Sequence, residues 1–111
     1  MENKFYVNRL LDFYGTLLTD KQRSVCSYYY RDDYSLQEIS EIAGITRSGV
    51  LDMIQRCRKK MESYEKNLHL AESFDRRMQI YEKIRSLSSK EVSDLIDQCI
   101  ETEIFEVENY E

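Results

Sequence analysis

EISEIAGITRSGVLDMIQR, residues 38–56, decides the fold. It reads as a short helix, a turn carrying Ala43-Gly44-Ile45, and a second helix opening at Thr46. A glycine in the turn permits the positive φ that a helix C-terminus demands. Just upstream, Ser35 and Glu38 have capping-box spacing, and Leu36, Ile39 and Ile42 follow at i, i+3, i+6. The second helix presents Val50, Met53 or Ile54, Cys57 and Met61 to a core and runs to Lys66, before Asn-Leu-His interrupts it. This is the outline of a helix-turn-helix, the device that lays one helix in the major groove of DNA.

Helical signals continue on both sides. Residues 3–14 set Phe5, Leu10, Leu11, Phe13 and Tyr14 on an apolar stripe that Leu17 and Leu18 extend, with Gly15 as a stop. Thr19 and Gln22 form a further capping box, opening a helix whose inner face is Val25, Cys26, Tyr29 and Tyr30. The run Tyr28, Tyr29, Tyr30 and Tyr34 packs rings inward with hydroxyls at the rim, although such rings also offer stacking surface to RNA. Beyond the motif, one amphipathic segment spans 70–86 with Leu70, Phe74, Met78, Tyr81 and Ile84 on one face. Another begins after Ser88-Ser89 and carries two stripes, Val92, Leu95 and Cys99, then Ile96, Ile100 and Ile104, with Phe105 beyond. One stripe suffices to pack a helix on its neighbour, so two ask for a second surface. Strand-like alternation is missing, so the expected fold is all-α without a wing: a helix-turn-helix core over 1–66 and a helical extension over 67–111 that pairs two copies into a homodimer.

Composition narrows the function classes. The 111 residues contain no proline and three glycines, so little interrupts a helix. No apolar run approaches the roughly 20 residues that span a bilayer, and the opening MENKFYVNRLLD mixes charges into its apolar positions. A cytoplasmic protein with no membrane partner is expected. Cys26, Cys57 and Cys99 are far apart and form no C-x-x-C pair, which suits reduced core thiols. His69 stands alone at a helix boundary, and no P-loop, dinucleotide fingerprint or nucleophile–base pairing is visible. Neither an enzyme nor a cofactor or metal site is expected.

Charge is uneven. Residues 1–34 balance, residues 35–66 carry a net of +1, and residues 67–111 a net of −6. A dedicated nucleic-acid binder has a broad basic footprint. Here the basic strip is local: RCRKK, residues 56–60, places Arg56, Arg58, Lys59 and Lys60 within one and a half turns, where they can meet a phosphate backbone or an acidic protein. On the second helix of the motif, Thr46, Arg47, Ser48 and Gln55 can hydrogen-bond phosphates or base edges. Leu51 suits a thymine methyl or a protein groove, and Asp52 repels phosphate although it can accept from cytosine N4. A solvated helix would present a polar face of this kind with no partner at all.

The stretch LLDFYGTLLTDKQRSVCSYYYRDDYSLQEISEIAGITRSGVLDMIQR resembles the YlxM family of small bacterial helix-turn-helix proteins. The opening L-L-D-F-Y-G-x-L-L-T-x-K-Q-R is the specific part, because region four of sigma factors shares the pattern of the helix-turn-helix itself. The resemblance extends over the whole chain, including the YEKNLHL break. Ser40 stands where alanine is commoner, and Gly49 sits inside the second helix, costing up to about 1 kcal/mol relative to alanine. The resemblance implies an all-helical protein without catalytic activity, working in or beside the signal recognition particle pathway through contacts with that particle's GTPase, its RNA or both. A DNA-binding regulator using Arg47, Ser48 and Gln55 is the competing expectation, and an oligomeric interaction module without nucleic acid is the third.

Overall fold

Helix boundaries follow the capping chemistry. The computed structural model describes residues 3–103, which form α1 (Lys4–Tyr14), α2 (Asp20–Tyr30), α3 (Leu36–Ala43), α4 (Arg47–Leu68), α5 (Leu70–Ser86) and α6 (Lys90–Glu103). There is no strand among the described residues, so the fold is all-α. Both capping boxes close. Thr19 Oγ1 accepts the Gln22 N–H at 3.2 Å while the Gln22 side chain accepts the Thr19 N–H at 3.0 Å, and Ser35 with Glu38 repeats this at 3.1 and 3.0 Å. The Ser35 backbone N–H, then its hydroxyl, hold the Glu38 carboxyl below the ordinary carboxylate range. Gly15 does not end α1 in a left-handed cap: its φ is −58°, and the chain tightens into a 3₁₀ turn over Gly15–Leu17.

The chain divides into two units, Met1–Ala71 and Glu72–Glu111. The first is built on Val7, Leu10, Leu11 and Tyr14 of α1, Leu18 just before α2, Val25, Cys26 and Tyr30 of α2, Ile39 of α3, and Val50, Ile54, Cys57 and Met61 of α4. Phe13, Tyr28, Tyr29, Tyr34, Leu36, Ile45 and Met53 are half-buried around it. Phe5 and Leu17, read as part of the α1 stripe, are exposed, Phe5 at 76%. At about 100° per residue Phe5 lies some 160° round from Val7, so a helix that buries one must show the other. Ile42 is exposed for a related reason. Steps of three residues drift by about 60°, and in Leu36–Ile39–Ile42 the middle member is fully buried, Leu36 packs half-buried on the core and Ile42 turns out to solvent.

Cys26 and Cys57 are buried and hydrogen-bonded to each other across α2 and α4, which holds the Cys57 thiol below its ordinary value. Cys99, by contrast, is exposed rather than in a core. Helix α4 runs past Lys66 to Leu68 and ends on His69 in the left-handed conformation, φ 55°, whose N–H donates to the Glu65 carbonyl at 2.8 Å. The junction there is fastened from a distance. The buried Tyr14 hydroxyl donates to Glu65 Oε1 at 2.6 Å and accepts the Leu70 N–H at 3.1 Å, while Glu65 Oε1 accepts the Ala71 N–H at 3.0 Å. Two orphan amides of α5 thus find partners on α1 and α4.

In the second unit, ion pairs Arg77–Glu103 and Arg85–Asp97 set α5 and α6 antiparallel. Ile96 is the one buried side chain among the described residues of that unit, with Phe74, Met78, Tyr81 and Ile100 half-buried. Ile104 and Phe105, placed on the α6 stripes from the sequence, lie outside the described residues. No described helix is long and apolar enough to cross a membrane.

Candidate nucleic-acid interface

The turn between α3 and α4 is tied by one residue. Gly44 adopts φ +70°, the left-handed cap conformation, and donates its N–H to the Ser40 carbonyl at 3.0 Å. The Ile45 N–H reaches the same carbonyl at 3.3 Å, and the Ser40 hydroxyl donates to the Ile45 carbonyl at 2.5 Å. An alanine at position 40 could not make that last bond, so the serine gives the turn a clasp.

Thr46 then opens α4. Its Oγ1 accepts the Gly49 N–H at 3.0 Å and lies 3.3 Å from the Ser48 hydroxyl. A Cβ at Gly49 would stand 3.0 Å from the same Oγ1. The glycine that weakens helix propensity therefore also relieves the cap of a tight contact.

One open groove results, lined by Leu36, Gln37 and Ser40 of α3 and by Thr46, Arg47, Ser48 and Leu51. Four of the nine expected contact residues, Thr46, Arg47, Ser48 and Leu51, come together there. The α3 residues escaped the sequence reading although their spacing, 36 to 40 and 37 to 40, puts them on one helical face. Leu51 is 40% exposed and gives the groove an apolar patch beside the Arg47 guanidinium. Arg47 has no carboxylate partner among the described residues, and it stands at the positive end of the α4 dipole.

The remaining expected residues lie elsewhere on α4. Gln55 and Lys59 are exposed. Asp52 is not a lone acid: its carboxylate pairs with Arg56 at 2.9 Å, one turn on. Arg58 pairs with Glu62 at 3.5 Å. Arg58 lies within about 20° of Arg47 around the axis but about 16 Å further along it, and Arg56 faces about 180° away. The RCRKK strip is therefore separate from the groove.

Comparison with known proteins agrees with this geometry. Residues 1–102 match the UPF0122 family, described as "Putative helix-turn-helix protein, YlxM / p13 like". A UPF0122 protein of Clostridium perfringens (strain 13 / Type A) is 39% identical over 111 residues, covering 98% of this chain and 99% of its own. The UPF0122 protein YofM of Lactococcus lactis subsp. lactis is 42% identical over 102 residues, covering 92% and 86%. A relative in Oceanobacillus iheyensis is 45% identical over 83 residues, covering 75% and 79%. The chain belongs to this YlxM/p13-like family of helix-turn-helix proteins.

Proposed function

From that membership and the groove beside α4, we propose that the protein is a non-enzymatic accessory factor of the signal recognition particle pathway. It lays the first turns of α4 against the particle's RNA, its GTPase or both, and the extension pairs two copies in the cytoplasm. The observation that carries the nucleic-acid contact is Arg47, uncompensated among the described residues on the rim of a hydroxyl-bearing groove, in a chain whose formal charge is −5. An acidic protein with one local basic region suits a ribonucleoprotein, where the rest of its surface need not approach phosphate. The pathway itself rests on the family resemblance. The groove offers hydroxyls and a guanidinium, which bind anions; they make no nucleophile–base pair.

A DNA-binding regulator is the second reading, and Leu51 favours it, because an exposed leucine beside an arginine suits a thymine methyl next to a phosphate or guanine. Fluorescence anisotropy decides between them, with labelled signal recognition RNA, random duplex and operator-like duplex, each with and without the purified GTPase. Binding to the RNA or to the GTPase, with duplex binding weaker, is the expected result. Tight binding to duplex DNA alone would replace the accessory reading with the regulator, and capture of a protein partner without any nucleic acid would make the motif a docking scaffold.

A further inference from the structure

We infer that two copies of the chain pair through one particular seam of α6, formed by Val92, Leu95 and Cys99. The inference rests on the homodimer proposed above and names its surface. Val92, Leu95 and Cys99 follow at i, i+3, i+7 and fall within about 60° of one another around the helix, the narrow stripe that packs helix against helix. All three are exposed, Leu95 at 58%. The neighbouring stripe is already in use, since Ile96 is buried and Ile100 half-buried. Of the two stripes legible on this helix, one is buried or half-buried and the other has no cover among the described residues.

Two arguments make a second copy the occupant. The first is size. The unit Glu72–Glu111 is 40 residues long, buries a single side chain among those described, and has no disulfide; units this small usually need oligomerisation when staples are missing. The second is charge. The unit is acidic, which would oppose self-association if its carboxylates faced the seam. Of the acids on α6, Asp94, Asp97 and Glu101 centre about 160° round from Val92, Leu95 and Cys99. Glu91 and Glu103 flank the two ends of the seam, Glu103 neutralised by Arg77, so the middle of two seams can meet without setting carboxylates against each other. Asp97 is moreover paired with Arg85 of its own hairpin.

Light scattering after gel filtration tests this on the intact chain. Wild type at micromolar concentration should have twice the 13.4 kDa chain mass, Leu95→Asp should fall to the single-chain mass with its helical circular dichroism kept, and Asp94→Ala on the opposite side should remain double. Cys99 is a built-in second reporter, because Cys26 and Cys57 are buried: maleimide labelling of the folded wild type should speed up on dilution as the pair dissociates. If Leu95→Asp loses its helix signal, the labelling series decides instead, and a rate independent of concentration overturns the seam. A dimer that survives Leu95→Asp overturns the seam while keeping the dimer. A wild type at single-chain mass overturns both. None of these readouts uses nucleic acid or the GTPase, so the proposed RNA contact stands or falls separately.

Discussion

At the scale of single residues, Asp52 changes meaning once Arg56 is placed. Read alone it is a carboxylate that repels phosphate; the structure gives it a guanidinium at 2.9 Å, and both side chains are solvent-exposed. An exposed i,i+4 pair adds a few tenths of a kcal/mol to helix stability, so Asp52→Asn should barely move the melting temperature. It should nevertheless strengthen nucleic-acid binding, on the order of two- to fivefold, by removing a negative charge and releasing Arg56. Arg56→Ala in the Asp52→Asn background should cancel part of that gain, and a double-mutant cycle on affinity measures how much. Unchanged nucleic-acid affinity in both Asp52→Asn and Arg47→Ala, with weaker capture of the GTPase, would make the motif a protein-docking scaffold. Tyr14 yields a pH prediction. Burial first, and its hydrogen bond to Glu65 second, push the Tyr14 hydroxyl from 10.0 up to about 12. The folded chain holds that proton more tightly than the unfolded chain. Its contribution to stability is therefore complete below pH 10 and drains away as the pH rises from 10 towards 12. Denaturant unfolding across that range should show the loss, and Tyr14→Phe should flatten it while lowering stability at neutral pH, because Leu70 N–H then lacks its acceptor.

At the scale of elements, the turn and the two helices around it respond to different physics. Gly44 has φ +70° and nothing within 4 Å of where a Cβ would stand, so Gly44→Ala should cost about 1 kcal/mol through the backbone alone, with Asn at the same position milder. Ile54 is buried in α4, and Ile54→Ala should cost about 2–5 kcal/mol, whereas Leu51→Ala in the groove should cost a few tenths. Thermal melts of the three variants check both the register of α4 and the role of the turn; equal melts for Ile54→Ala and Leu51→Ala would mean the register is wrong. That register was legible beforehand, because Val50, Ile54, Cys57 and Met61 repeat at helical spacing and Thr46 announces the start. So were both capping boxes, which are local in sequence. What periodicity left open was which of two neighbouring apolar faces is buried. The stripe that takes in Phe5 passes over Val7, and only packing against α2 and α4 separates them. The Tyr14–Glu65 clasp joins residues 51 apart, and no local pattern carries such a pairing. Within the groove, the α4 side was legible from polarity on an outward face, but Gln37 and Ser40 enter it only because the turn folds α3 against α4.

At the scale of the whole molecule, the contrast between an acidic chain and a local basic region turns into a measurable salt dependence. Each phosphate neutralised on duplex DNA adds a slope near −0.9 to log affinity against log salt, and about −0.7 on a single strand. The sequence offers Arg47, Arg56, Arg58, Lys59 and Lys60 for that role, but they cannot act together. Arg56 is held by Asp52 and Arg58 by Glu62, and Lys60 points about 140° away from Arg47 around α4. Lys59, about 120° round and about 18 Å along from Arg47, is no better placed, so Arg47 alone remains at the groove and a single copy should give a slope of about −0.9 on duplex and about −0.7 on single-stranded RNA. Two copies engaged at once should double those values. The monomeric Leu95→Asp chain should then show half the wild-type slope if both copies of a dimer grip one nucleic acid, and the same slope if only one does. Asp52→Asn should raise affinity while leaving that slope nearly unchanged, since Arg56, about 180° round from Arg47, cannot join the same phosphate contact. A slope near zero in wild type, with affinity unchanged by Asp52→Asn, would leave Leu51 and the groove as a docking place for protein, because apolar contact does not respond to counterions as a phosphate grip does.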